Sequence, residues 1–197
     1  MLTRVAESIT NSLITNGNIK SEDKEIYSYG FEMGIAMLGN LLTSILIGLF
    51  LGKLVECIVF LLAYMPLRSY AGGYHASSHL RCYFLSSAIL ILVLLTIPSA
   101  LALTSPYKSV MLVACSAIII LILSPVQDSN KPLDDDERKM YAKNSKIILS
   151  IELCLYFVFV MMRWQTIALV IVESLVVIAI TLFIGYTKNQ YKKQFIK

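Results

Sequence analysis

The chain has 197 residues, 57% of them hydrophobic, with a mean hydropathy of +0.71 and a formal net charge of +4. An apolar share well above the roughly half typical of soluble domains excludes an ordinary soluble fold and points to an integral membrane protein. There is room for several crossings but for no separate soluble domain of usual size, so one all-α membrane domain is expected over 1–197, an amphipathic interfacial segment at 1–30 followed by a six-span helical bundle at 31–197.

The amino terminus, MLTRVAESITNSLITNG, lacks the basic start, short apolar run and small-residue cleavage site of a secretory signal. Leu2, Val5, Ala6, Ile9 and Leu13 recur at helical spacing and form one apolar stripe, which ends at the turn-prone Asn16-Gly17-Asn18. This spacing predicts an amphipathic helix lying on the inner leaflet. Ser21 is the expected N-cap of the next helix, with Glu22 and Asp23 suited to its positive end.

Six apolar stretches follow: Met33–Leu51, Leu54–Leu67, Tyr83–Leu103, Val110–Ser124, Ile147–Met162 and Ile167–Gly185. A crossing takes about 20 residues, with a range of about 17 to 25, so the second, fourth and fifth are short. They cross if Lys53, Lys108 and Arg163 snorkel outward, if the bilayer thins, or if flanking residues extend the helix. With a cytoplasmic amino terminus, fourteen of the seventeen Lys and Arg residues fall inside and only Lys53, Lys108 and Arg163 fall outside, as the positive-inside bias requires. Both termini are then cytoplasmic, and anionic membrane lipids are the plain partner of the inner face.

The inner connection Pro125–Lys146 is turn-rich in its first half. Asp134, Asp135, Asp136 and Glu137 ahead of Arg138 and Lys139 then suit a short helix, read either as a solvated connector or as a docking surface for a charged peptide. Three acids lie in or at the edge of apolar spans, where ionisable groups tend to be functional. Glu56 is one turn from Lys53 and is expected to pair with it. Glu173 lies a short way in from the outer end of the last span. Glu152 lies a similar way in from the inner end of the fifth, at a depth suited to Arg68, Arg81 or a histidine, as a structural ion pair or as a catalytic partner.

The segment from Arg68 to Cys82, RSYAGGYHASSHLRC, gathers both histidines, a cysteine, two arginines and a glycine pair between two spans, on the cytoplasmic side. A thiol attacks only as thiolate, a state that Arg81 and an imidazole within reach would favour, so Cys82 is the candidate nucleophile. His75, His79 and Cys82 are related as i, i+4 and i+7. On one continuous helix, seven residues rise about 10.5 Å, too far for His75 to contact the thiol, whereas His79 is one turn away. For His75 to serve, the helix must begin after it. Ser77 or Ser78 would cap that start, Gly72 and Gly73 would let the preceding chain bend back, and Cys82 would sit near the positive end of the helix.

Three other readings stay open on the residues alone. Cys82 is an ordinary packing thiol, like Cys57, Cys115 and Cys154 in their apolar surroundings. His75, His79 and Cys82 bind zinc, although HASSH lacks the glutamate that follows the first histidine of a zinc peptidase helix. From a different class, the chain is a transporter or peptide exporter, which six spans and intramembrane acids suit, although it has no GxxxxGK[ST] sequence and no clear repeat of its halves.

The run Arg68, Ala71, Gly72, Gly73, His75 and Ala76, with Cys82 seven residues after His75, closely resembles the AgrB family of bacterial accessory gene regulator peptidases. Length, hydropathy, the amphipathic start and Asn130-Lys131-Pro132 in the inner loop extend the resemblance over nearly the whole chain. It implies a quorum-sensing cysteine endopeptidase of the bacterial cell membrane, with its active site on the cytoplasmic side, that processes an AgrD-like precursor peptide. Cys82 would attack the bond before the precursor's acidic tail, with His75 as general base and then acid. A cysteine or serine within the precursor would then capture the acyl-enzyme thioester and close a thiolactone or lactone. Arg68, Gly72, Gly73, His79, Arg81 and Glu152 would support the site or bind substrate, with Glu152 a candidate third catalytic partner. The cations Arg68, Arg81 and those of the 131–146 loop suit attraction of the acidic tail. The resemblance also suggests a homodimer, with no metal, cofactor or nucleic acid.

Overall fold

The computed structural model describes residues 2–74, 78–103, 105–127 and 134–195, and these are helical almost throughout. The elements are α1 (Leu2–Thr15), a 3-10 turn (Ser21–Asp23), α2 (Lys24–Phe50), α3 (Leu54–Ala71), α4 (His79–Leu103), α5 (Pro106–Leu123), α6 (Asp135–Met161) and α7 (Gln165–Phe195). Among the described residues there is no strand, only an isolated parallel bridge between Gly72 and Val126. By length and composition α2, α3, α4, α6 and α7 are able to cross a bilayer, while the apolar helix Tyr107–Leu123 is shorter. Each of the six apolar stretches is thus helical, and five qualify as spans.

The amino-terminal helix forms where the stripe places it. Gly17, at φ 72°, ends it: the Asn18 N–H donates to the Leu13 carbonyl at 3.0 Å and the Gly17 N–H to Ile14 at 2.9 Å, the paired bonds of a Schellman stop. The chain then turns back so that α1 packs along α2. Ala6 and Thr10 are fully buried there, while Val5 and Ile9 stay exposed, so the stripe serves two surfaces: its small residues meet α2 and its larger ones face outward. Thr10 resolves its burial by donating to the Ala6 carbonyl at 2.8 Å.

Three local expectations are corrected. Ser21 does not cap α2; it opens the 3-10 turn, and α2 starts at Lys24 after Asp23, which makes no side-chain cap. The acidic run does not open a separate short helix. Asp134 and Glu137 form a capping box, and the helix they start runs unbroken as α6 for 27 residues, because nothing between Lys139 and Ile147 breaks it. Lys53 donates from Nζ to the Leu94 carbonyl at 2.5 Å rather than pairing with Glu56, and Thr96 of the same helix donates to Glu173 at 3.3 Å.

The core is built around α7, which packs on α3, α4, α5 and α6. Val170, Val172, Leu175, Ile178 and Leu182 are buried on it, as expected of a helix apolar on every side. In lipid such packing is held by close contact rather than by expulsion of water. Tyr156 of α6, the largest fully buried side chain, keeps its hydroxyl satisfied against Ser109 of α5 at 2.9 Å.

Candidate active site at one end of the bundle

α3, α5 and the start of α6 meet the carboxyl-terminal half of α7 at one end of the bundle. Helix α3 stops because Gly72 (φ 76°) and Gly73 (φ 122°) take backbone conformations that L side chains avoid. The turned chain is then held on two sides. Toward the α5–α6 connection, the Val126 N–H donates to the Ala71 carbonyl at 2.9 Å and the Gly73 N–H to the Val126 carbonyl at 3.4 Å. Toward α7, the Tyr74 N–H donates to the Thr181 carbonyl at 2.9 Å. Gly185 permits that approach: a Cβ there would stand 2.7 Å from both the Gly73 carbonyl carbon and the Tyr74 nitrogen.

Side chains complete the clamp. Arg68 reaches forward from the last turn of α3 and donates from Nη2 to the Tyr74 carbonyl at 2.5 Å. The Lys188 ammonium lies 4.5 Å from the centre of the Tyr74 ring, and Asn189 Nδ2 donates to the Gln127 carbonyl at 2.6 Å. Segment 72–74 therefore leads into the next residues from a fixed position.

After it the chain restarts as α4 at His79, so the histidines and Cys82 do not share one continuous helix. Ser78, one of the two expected caps, caps this start: its Oγ accepts the Arg81 N–H at 3.3 Å and its carbonyl accepts the Cys82 N–H at 3.0 Å. Cys82 is exposed in the first turn of α4, where aligned N–H groups favour negative charge on a nearby atom. Arg81 is exposed beside it. His75, Ala76, Ser77 and the Asn130-Lys131-Pro132 motif lie outside the described residues. His79 is the first residue of α4.

The other cysteines differ. Cys57 is buried and its Sγ donates to the Ser44 carbonyl at 3.2 Å, whereas Cys115 is exposed midway along α5 and Cys154 in the last third of α6. Glu152 is buried with neither carboxylate oxygen hydrogen-bonded among the described residues, and the Arg68 guanidinium is directed at Tyr74, so the two do not form an ion pair. Helix α6 packs on α3 and α7 rather than closely on α4.

Tyr74, Val126, Thr181, Gly185 and Lys188 hold the site and were not singled out by sequence reasoning. Gly185 entered there only as the end of an apolar stretch and Lys188 only as one of the inner cations.

The chain matches the family described as accessory gene regulator B over residues 6–188. It is similar to AgrB-like protein 2 of Clostridium perfringens (strain 13 / Type A), with 26% identity over 159 residues covering 78% of this chain and 74% of that one. It is similar also to an AgrB-like protein of Clostridium perfringens (strain SM101 / Type A), with 23% identity over 189 residues, 91% and 88% of the two chains. No solved structure matches it.

Proposed function

This chain belongs to the accessory gene regulator B family, and on that premise we propose that it is a membrane cysteine endopeptidase that trims an AgrD-like precursor and cyclises what remains. Family membership supports the role in accessory gene regulator peptide processing. The peptidase chemistry rests on one observation: Cys82 is exposed in the first turn of α4, a helix that starts five residues after Tyr74, whose backbone is clamped against α7.

In the reaction, the Cys82 sulfur attacks the carbonyl carbon before the precursor's carboxyl-terminal tail. An S–C bond forms, the C–N bond breaks, and His75 carries the thiol proton to the departing amine nitrogen. A thiol or hydroxyl within the precursor then attacks the thioester, closing the ring and returning the proton to Cys82. Exchange between two thioesters makes and breaks similar bonds, so forming the first thioester from an amide is the harder half. Water must be kept from the acyl-enzyme until the internal nucleophile arrives, which a site at the membrane boundary favours.

Arg68 and the glycine pair serve here by holding the Tyr74 carbonyl and the bend. The cation distribution supports six crossings with both termini and the site on the cytoplasmic side of a bacterial cell membrane, and the family resemblance supports action there as a homodimer.

Purified protein in liposomes with a labelled precursor tests the reading. Tail release that disappears in Cys82→Ala supports the peptidase. Passage of intact precursor without cleavage selects an exporter, and chelator-sensitive cleavage that survives thiol alkylation selects a zinc enzyme.

A further inference from the structure

Beneath Cys82, α2, α3 and α4 enclose a cleft of about 510 Å³, counting its open mouth, lined by Asn40 of α2, Phe60 and Tyr64 of α3, and Ser86 and Ile89 of α4. Cys82, Ser86, Ile89 and Leu90 are related as i, i+4, i+7 and i+8, so the wall that α4 gives the cleft is the face that carries the thiol. Along that face exposure falls from Cys82, which is open, through the partly covered Ser86 and Ile89 to the buried Leu90. We propose that this cleft is the subsite that takes an apolar side chain of the peptide on the acyl side of the broken bond, the part that stays on the sulfur. The proposal rests on the reading of Cys82 as nucleophile and adds the specificity of that site.

Charge selects the acyl side over the tail. Among the described residues none lining the cleft is charged, and an acidic segment transferred there would lose its hydration without a partner. The register fits as well. Ser86 lies one helical turn, about 6 Å along the axis, from Cys82, the span of about two residues of extended peptide.

Polar chemistry selects a peptide over a lipid tail. Ser86 Oγ lies 3.1 Å from Asn40 Oδ1 and 3.0 Å from the Tyr83 carbonyl, and its single proton serves one of them, so whichever way the Asn40 amide is turned at least one of its N–H groups has no partner among the described residues. An amide held in a half-buried cleft with a donor to spare suits a backbone carbonyl. A hydrocarbon chain offers no acceptor.

The test uses the full protein in liposomes and two small electrophiles that alkylate cysteine with loss of chloride, N-acetyl-leucyl-glycyl and N-acetyl-glycyl-glycyl chloromethyl ketone, whose variable side chain lies two residues along the peptide from the sulfur. Labelling is read at each cysteine by mass spectrometry. Both reagents concentrate in the bilayer to different extents, so Cys115 and Cys154, which are also exposed, supply the correction. The leucyl-to-glycyl rate ratio at Cys82 is expected to exceed that at Cys115 by about tenfold, the lower range of what a pocket discriminates for added methylenes. In Leu61→Trp, which enlarges a side chain of α3 that also lines the cleft and so narrows it, the ratio should fall to that of Cys115. Equal ratios in the unaltered protein overturn the subsite, as does a preference that appears only after lipid is removed. A Cys82 that reacts with iodoacetamide no faster than Cys115 overturns the nucleophile reading instead, so the two failures are distinguishable.

Discussion

Cys57 and Cys82 occupy the same backbone position in two helices and have opposite surroundings. Each is the fourth residue of its helix, and each donates its N–H at 3.0 Å to the carbonyl just before that helix, Lys53 for one and Ser78 for the other. The turn before α3 is three residues closed by Gly52 at φ 64°, and it presses Cys57 against α2, with the thiol on Ser44 and Gly48 at its back. The connection before α4 is longer, held at its far end against α7, and leaves Cys82 open. A helix start alone thus does not make a thiol reactive; the preceding connection decides whether the sulfur is buried or open.

The strongest way to break that comparison is to exchange the two thiols for methyl groups in turn. Cys82→Ala is expected to remove precursor cleavage to baseline, a loss of at least about 10³-fold as for any essential nucleophile, while Cys57→Ala retains it. Iodoacetamide should likewise label Cys82 and spare Cys57. Equal loss in both variants would mean that packing rather than chemistry is being read.

Next in size is the choice between imidazoles. His75→Ala should cost about 10²- to 10⁴-fold in cleavage rate, the range of general base catalysis, and His79→Ala no more than about fivefold. Because α4 starts at His79, the continuous helix that would favour His79 is absent. The reverse result would move the base to the first residue of α4.

Much of this was legible in the sequence wherever the signal is local. The α1 stripe, its stop at Asn16-Gly17-Asn18, the six apolar helices, the bend at Gly72-Gly73 and the restart after a serine cap each depend on neighbouring residues. The features that stayed hidden depend on partners far along the chain. Tyr74 meets Thr181 and Lys188, and Arg68 turns from acids toward a carbonyl six residues on, none of which periodicity encodes. Helix α7 is apolar on all sides, so its sequence says that it is central without saying which face meets α3. Long polar ends, as in α6, conceal helix where only the apolar stretch is read as span.

Glycine substitutions sharpen the contrast between clamped and free backbone. Gly185→Ala places a methyl 2.7 Å from the Gly73–Tyr74 backbone and should destabilise by about 1–3 kcal/mol, with slower Cys82 labelling as segment 72–74 is displaced. Gly34→Ala in α2 meets nothing within 4 Å and should be neutral or stabilising by up to about 1 kcal/mol. Thermal unfolding in detergent and the Cys82 labelling rate measure both. A Gly185→Ala protein of unchanged stability would show that α7 does not hold the bend.

The smallest effect tests the start of α4 itself. Ser78 has no counterpart in the turn before α3, where Lys53 makes no side-chain cap, so Cys57 is held by burial and Cys82 by a capped first turn. Removing the Ser78 hydroxyl leaves the Arg81 N–H without that partner and costs about 1 kcal/mol, which loosens the turn bearing the thiol and corresponds to a rate lower by about fivefold. Asparagine caps as well as serine and adds no charge beside a developing thiolate, so Ser78→Asn should restore what Ser78→Ala loses. A merely solvent-facing serine would leave cleavage unchanged in both variants. A serine that touches the substrate would fail in both, because asparagine restores the cap and not the hydroxyl.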